Sequence, residues 1–224
     1  ITWEEPPKKG GLGLPRRRVL AVPSGDHAWI GEGRGVRVVS IAKDDVRDAS
    51  PLGVRVLDAI AIDGGRVLAC VHLEGDDGAC LRVVDGAAPE LAKSPALALP
   101  EVVKIDWPAG TIWKAGKELW PEKEKGVDKT KLFTSIAPGH PQKDGARFFD
   151  PVVMTRSPHG IAGASVQNGV VFAVAPDGSR IEGAFRIPTQ SEAEIHPVRT
   201  KDGILVSLVI EGRESAVLHV SLEG

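Results

Sequence analysis

In the last third of the chain, apolar runs of strand length alternate with short polar pairs that favour turns. From His159 onward the order is Ser165-Val166-Gln167, the pair Asn168-Gly169, Val170 to Ala175, the turn Pro176-Asp177-Gly178, and Ile181 to Ile187. A second unit follows with Ile195 to Thr200, Lys201-Asp202-Gly203, Ile204 to Ile210, Glu211-Gly212-Arg213-Glu214, and Ser215 to Leu222. Asn-Gly and Asp-Gly between such runs mark β-hairpins, because these residues tolerate the positive φ that tight hairpin turns require. The pattern predicts an all-β protein of repeated antiparallel hairpins or small sheets.

The same order recurs upstream. Leu57 to Ile62, Asp63-Gly64-Gly65 and Val67 to Leu73 echo Ile195 to Thr200, Lys201-Asp202-Gly203 and Ile204 to Ile210. A short acidic turn follows in both, Glu74-Gly75 or Glu211-Gly212, and then another strand. Arg18 to Val22, Ala28-Trp29-Ile30 and Val36 to Ile41 read as strands, so that Val19 to Ile41 is a degenerate further copy. Within it, Gly31-Glu32-Gly33-Arg34-Gly35 imitates a phosphate loop. A dinucleotide fingerprint must open a helix, and the β-branched Val36-Arg37-Val38-Val39-Ser40-Ile41 continues as a strand, so a hairpin turn is the better reading.

Strand-turn units recurring at roughly 30 to 45 residues resemble the blades of a β-propeller, in particular the loosely patterned blades of bacterial propellers. No Gly-His…Trp-Asp signature or kelch double glycine is present, and the nearest imitation, Asp26-His27-Ala28-Trp29, occurs once. The resemblance implies a disk with loops on two faces and no particular activity. On this reading residues 1–17 form an extended arm. Residues 18–224 form a single propeller-like domain with an irregular insertion at about 104–150.

The insertion holds Trp107, Trp113 and Trp120, three of the five tryptophans, among Lys104, Lys114, Lys117 and Lys123. It reads as a long excursion, with a short helix around Ala115 to Lys125, or as blades that have lost their pattern. Indoles offer flat apolar area with a polar edge, which suits a protein partner or a sugar and equally suits pinning a loop onto a sheet. The stretch Ala87 to Pro100, rich in Ala, Pro and Leu, reads as a linker or irregular edge.

Composition narrows the classes. A net charge of -2 argues against a dedicated nucleic-acid binder, and Arg16-Arg17-Arg18 is too short a cluster to reverse that. No apolar run reaches the length of a membrane span. The absence of Tyr and abundance of Ala, Val, Gly and Arg suggest a GC-rich bacterial genome. A start at Ile1 with Pro-rich, charged residues is compatible with a removed leader, which slightly favours a periplasmic or extracellular place over the cytoplasm, and equally with trimming to the ordered part.

Candidate chemistry is sparse. Cys70 and Cys80 flank the turn Glu74 to Gly78, so a cross-strand disulfide is geometrically open if they pair directly, the alternative being two reduced, buried thiols. None of the histidines, His27, His72, His140, His159, His196 and His219, has metal-site spacing to another His or Cys. His72 and His219 fall within strands, whereas His140 and His159 lie in Pro- and Gly-rich loops and are the better site candidates. Asp106, Asp150 and Glu194 begin or end strands and could converge on a central channel, into which some propellers that cleave glycosides project carboxylates from inner strands, although a charged residue at a strand end is usually solvated. Asp76-Asp77-Gly78 and Asp177-Gly178 are explained by turn formation and lack calcium-loop spacing.

The expectation is a non-enzymatic binding or scaffold module without a cofactor or metal. It would contact a protein partner, or a second copy of itself across open strand edges, through Trp107, Trp113, Trp120, His140 and His159. The alternative is a carbohydrate-binding protein or glycoside hydrolase.

Overall fold

The computed structural model describes residues 18–32, 35–98, 100, 102–104, 134–136, 141–142, 148–149, 151–187, 193–210 and 214–222. Among them are strands, turns and one short 3-10 turn at Asp63–Gly65, and no α-helix. The first sheet runs β1 (Arg18–Ser24), β2 (His27–Glu32), β3 (Gly35–Ser40), β4 (Asp45–Asp48), in that spatial order. The second is β5 (Val54–Ile62), β6 (Arg66–Leu73), β7 (Cys80–Asp85). Three short strands come next in the chain, β8 (Val102–Lys104), β9 (Thr134–Ile136) and β10 (Pro141–Gln142). They add to the edges of the two later sheets. The third sheet is β11 (Val152–Ser157), β12 (Gly160–Ser165), β13 (Val170–Val174), β14 (Ile181–Arg186), extended by β8 and β10. The fourth is β15 (Ala193–Arg199), β16 (Gly203–Ile210), β17 (Glu214–Ser221), extended by β9.

The turn chemistry explains the meanders. Pro176-Asp177-Gly178 closes the β13–β14 connection, with Gly178 at φ 75 and the Asp177 Oδ1 accepting from the Ser179 N–H at 2.9 Å. At Asn168-Gly169 the structure departs from a two-residue hairpin. Ser165 pairs with Val170, so β12 ends at Ser165 and the turn takes all of 166–169. Gly169 adopts φ 67 and the Asn168 Oδ1 accepts from the Val170 N–H at 3.3 Å. The Val166 N–H instead donates to the Pro151 carbonyl at 3.0 Å, and the Gly169 N–H to the Val166 carbonyl at 3.4 Å, which closes the four-residue turn.

The sheets stack face to face in chain order. One core cluster joins the first sheet to the second through Trp29, Val36, Val38, Val67, Ala69 and Val71. Another joins the second to the third through Leu68, Cys70, Leu81, Phe148, Ile161 and Phe172. The last joins the third to the fourth through Ala162, Val171, Phe185, Ile195, Ile204 and Val206. Each Val, Leu, Ile or Phe side chain so enclosed contributes about 1.5–3 kcal/mol relative to exposure, and this burial holds the stack. Burial along the strands records which sheets are covered twice. Every residue of β12 and β13 is buried, on both faces. In β3 burial alternates, and in β15 it alternates strictly from Glu194 to Arg199, because the end sheets are covered on one face only.

The first strands of successive sheets are neighbours, β1 beside β5, β5 beside β11, and β11 beside β15. Polar side chains tie these junctions. The Met154 N–H donates to the Asp58 Oδ2 at 2.7 Å, across from β11 to β5. Arg156 donates to the Ala61 carbonyl at 2.9 Å and meets Asp63 at 2.6 Å. The Ser157 hydroxyl donates to the Arg199 carbonyl at 2.7 Å, and the Thr155 hydroxyl to that of Pro197. Trp29 is fully buried and its Nε1–H donates to the Gly86 carbonyl at 2.8 Å.

Of the strand edges expected from the sequence to be open, those of β14, β17 and β7 are occupied by the chain itself. β8 lies parallel on the edge of β14 and β9 parallel on the edge of β17. Ala96 bridges to Arg82 and the Leu97 N–H donates to the Leu81 carbonyl at 2.8 Å, so the segment after β7 covers its edge. β4 is short and carries Asp45, Arg47 and Asp48, which discourages pairing.

Candidate functional site

The surface that stands out is the side of the first sheet turned away from the second. Cross-strand register assigns its members, because directly opposed residues share a face. Val19 opposes Ile30, Ile30 opposes Arg37 and Arg37 opposes Asp48. In the next row Ala28 opposes Val39 and Val39 opposes Val46. Val22 on β1, after the inward Ala21, and Ile41, in the turn directly after the inward Ser40, are exposed as well. The opposite face carries Ala21, Trp29 and Val38, all buried against the second sheet.

The exposed residues of this face would ordinarily be polar. Here Val19, Val22, Ile41 and Val46 are 62%, 54%, 64% and 56% exposed. Among the described residues the other exposed large apolar side chains are Leu52, Phe149 and Val198, so exposure of this kind is concentrated on one sheet face. The corresponding face of the fourth sheet carries Glu194, His196, Val198, Leu205, Ser207 and His219 and is mixed in character. The His196 Nε2 lies 3.5 Å from the Glu194 Oε2 there, both side chains exposed.

Among the described residues two polar groups near the fourth sheet brace the fold. Thr200, Asp202 and His219 meet at the β15–β16 turn, where the His219 Nε2 is 3.2 Å from the Thr200 Oγ1 and 3.4 Å from the Asp202 Oδ1. A nucleophile, base and orienting acid need the two ring nitrogens to be divided between hydroxyl and carboxylate. Here both partners approach the same nitrogen, and the Thr200 hydroxyl also accepts from the Gly203 N–H at 3.0 Å, which makes the group a turn brace. Backbone and Thr200 hydrogen bonds hold the Asp202 carboxyl below the usual carboxylate range. The buried Arg199 donates through Nη1 to the Gly203 carbonyl at 2.8 Å and through Nη2 to the Glu182 Oε2 at 3.0 Å, bracing the fourth sheet against β14. Sequence reading missed both groups, whose members come together only once the turns and sheets are formed.

The residues singled out in the sequence fare differently. His72 and His219 lie within β6 and β17, as expected. His159 is exposed in the β11–β12 turn, where its backbone N–H donates to the Ser157 hydroxyl at 3.1 Å. Trp107, Trp113, Trp120, His140, Asp106 and Asp150, and the helix expected around Ala115, lie outside the described residues. Cys70 opposes Leu81 and Cys80 opposes Val71, one position out of step, so the two thiols point to opposite faces of the second sheet. Both cysteines are free, and the cross-strand bridge considered from the sequence does not form for this reason. No group of His, Cys, Asp and Glu among the described residues could hold a metal ion. No described helix is long and apolar enough to cross a membrane.

No protein-family model matches the chain, and no curated protein does.

Proposed function

We propose that this chain is a non-enzymatic binding module that assembles with protein through the open face of its first sheet, together with the Trp-bearing insertion. The observation that carries the reading is the concentration of exposed apolar side chains, Val19, Val22, Ile41 and Val46, on that one face. Large exposed apolar patches mark surfaces that are covered in the working state. The described ends of the insertion support a role for it beside the sheets. It leaves β8 at the edge of the third sheet and re-enters at β9 on the edge of the fourth.

In the same reading the four sheets are consecutive blades of a propeller-like array. Support comes from the neighbouring first strands and from the meander order β5-β6-β7 and β15-β16-β17, each running outward from its first strand. In such an array the face of an end blade is made to be packed against.

The test is affinity purification of the tagged chain from its source cells, comparing wild type with Val46→Lys and with Trp113→Ala/Trp120→Ala. A binding module loses its partner in at least one variant, while a glycan array and a panel of chromogenic glycosides stay blank. A glycan or glycoside signal removed by the tryptophan substitutions would overturn this reading in favour of a carbohydrate-directed protein. An unchanged set of copurifying proteins in both variants would also overturn it.

A further inference from the structure

We infer that the partner of the first sheet's open face is the same face on a second copy of this chain, related by a two-fold axis. The inference rests on the binding-module reading and names the occupant.

Three features select this mate. The first is apolar match. A surface presenting Val19, Val22, Ile30, Val39, Ile41 and Val46 loses most water when it meets another such surface. The other end of the stack is the obvious competitor, since joining it head to tail would continue the pile of sheets. Its face carries the exposed Glu194 and His196, and covering these polar side chains with valines would remove them from water without replacement partners. The second feature is charge. Arg37 and Asp48 are direct neighbours at one end of the Val19, Ile30, Arg37, Asp48 row, so charges of both signs stand side by side on the face. A face with both signs is electrostatically self-complementary, which a two-fold contact requires and most closed dimers use. The third is that strand addition is discouraged at the first sheet's β4 edge, which is short and carries Asp45, Arg47 and Asp48, so that its apolar face is the better contact surface.

The size of the face sets the strength. Four strands about 4.8 Å apart and about six residues long at about 3.3 Å each outline roughly 19 by 20 Å, or about 400 Å² of projected surface per copy. Allowing for side-chain relief, two copies bury on the order of 800–1,200 Å², at the lower limit of specific interfaces. The dimer is therefore weak and reversible, with a dissociation constant in the micromolar range or above.

Sedimentation velocity on the full chain, from about 1 µM to several hundred µM, tests this. Wild type should pass from monomer to dimer across the series. Val46→Lys and Val19→Lys, at exposed positions, should keep the wild-type melting midpoint and weaken dimerisation at least tenfold. Val198→Lys, on the fourth sheet, should leave it unchanged. A wild type that stays monomeric throughout would overturn the inference, as would undiminished dimerisation of Val46→Lys. Loss of the dimer in Val198→Lys would place the fourth sheet in the contact and overturn it too. A monomeric wild type that still loses a different copurifying protein on Val46→Lys would refute the homodimer while leaving the binding-module reading standing.

Discussion

Gly163→Ala measures how tightly the second and third sheets are fitted together. Gly163 sits between Met154 on β11 and Phe172 on β13, in the row that faces the second sheet. Its missing side chain makes room for the Phe172 ring. A Cβ there would fall 2.1 Å from Phe172 Cζ and 2.5 and 2.7 Å from the two Cε atoms. Carbon atoms in contact sit about 3.5–4.0 Å apart, so the ring must withdraw by about 1.5 Å. It has little room to do so, being fully buried and packed against Phe148 with centroids 4.5 Å apart. Overpacking of this kind costs about 1–3 kcal/mol. The stiffer unfolded chain offsets about 0.4–1 kcal/mol of it. The net loss spans about 0–2.6 kcal/mol and centres on about 1.3 kcal/mol, which at a urea slope of about 2 kcal/mol/M lowers the unfolding midpoint by about 0.6 M. Phe172→Leu should then cost less in the Gly163→Ala background than alone, with a coupling of about 0.5–3 kcal/mol. An unchanged or raised midpoint for Gly163→Ala, or strictly additive losses, would refute the proposed seating of the ring on the glycine.

Other consequences are as direct. Asp58→Ala removes the acceptor of the Met154 N–H at the β5–β11 junction and should destabilise by about 1–3 kcal/mol in chemical unfolding, with Asp58→Asn recovering part of the loss. Intact mass after alkylation without reductant should show two free thiols, with Cys80 labelled faster than the fully buried Cys70; a single disulfide would contradict the register. The hydrogen bonds from Ser179 hold the Asp177 carboxyl below its usual range. Because its folded value is depressed, its contribution is full above the unfolded value and disappears as pH falls through the folded one. Asp177→Ala should thus lower the unfolding midpoint at neutral pH and converge on wild type near about pH 2, and a deficit that persists in acid would contradict this.

Much of the strand plan was legible before folding. The runs Ile181 to Ile187, Ile195 to Thr200 and Ile204 to Ile210 became β14, β15 and β16 within a residue or two, because turn residues punctuate them. β4 escaped notice since Asp45-Val46-Arg47-Asp48 has almost no strand character of its own and exists by pairing with β3. β11 was overlooked beside Pro158-His159-Gly160, whose tight turn hid a hairpin rather than a boundary. The cysteine relation depended on a one-residue step of register that spacing alone does not fix. The open face was illegible for a deeper reason. Val36 to Ile41 reads as an almost continuous apolar run, and only the stacking decides that Val36 and Val38 are covered while Val39 and Ile41 look outward.

Carbene footprinting of the dilute chain by mass spectrometry tests the open-ended stack most directly. The account predicts strong labelling at Val19, Val22, Ile41 and Val46 and protection throughout 67–71 and 170–174, in the doubly covered strands. Labelling of β13 as heavy as that of β4, or protection of Ile41 and Val46 at concentrations where the chain is monomeric, would contradict it.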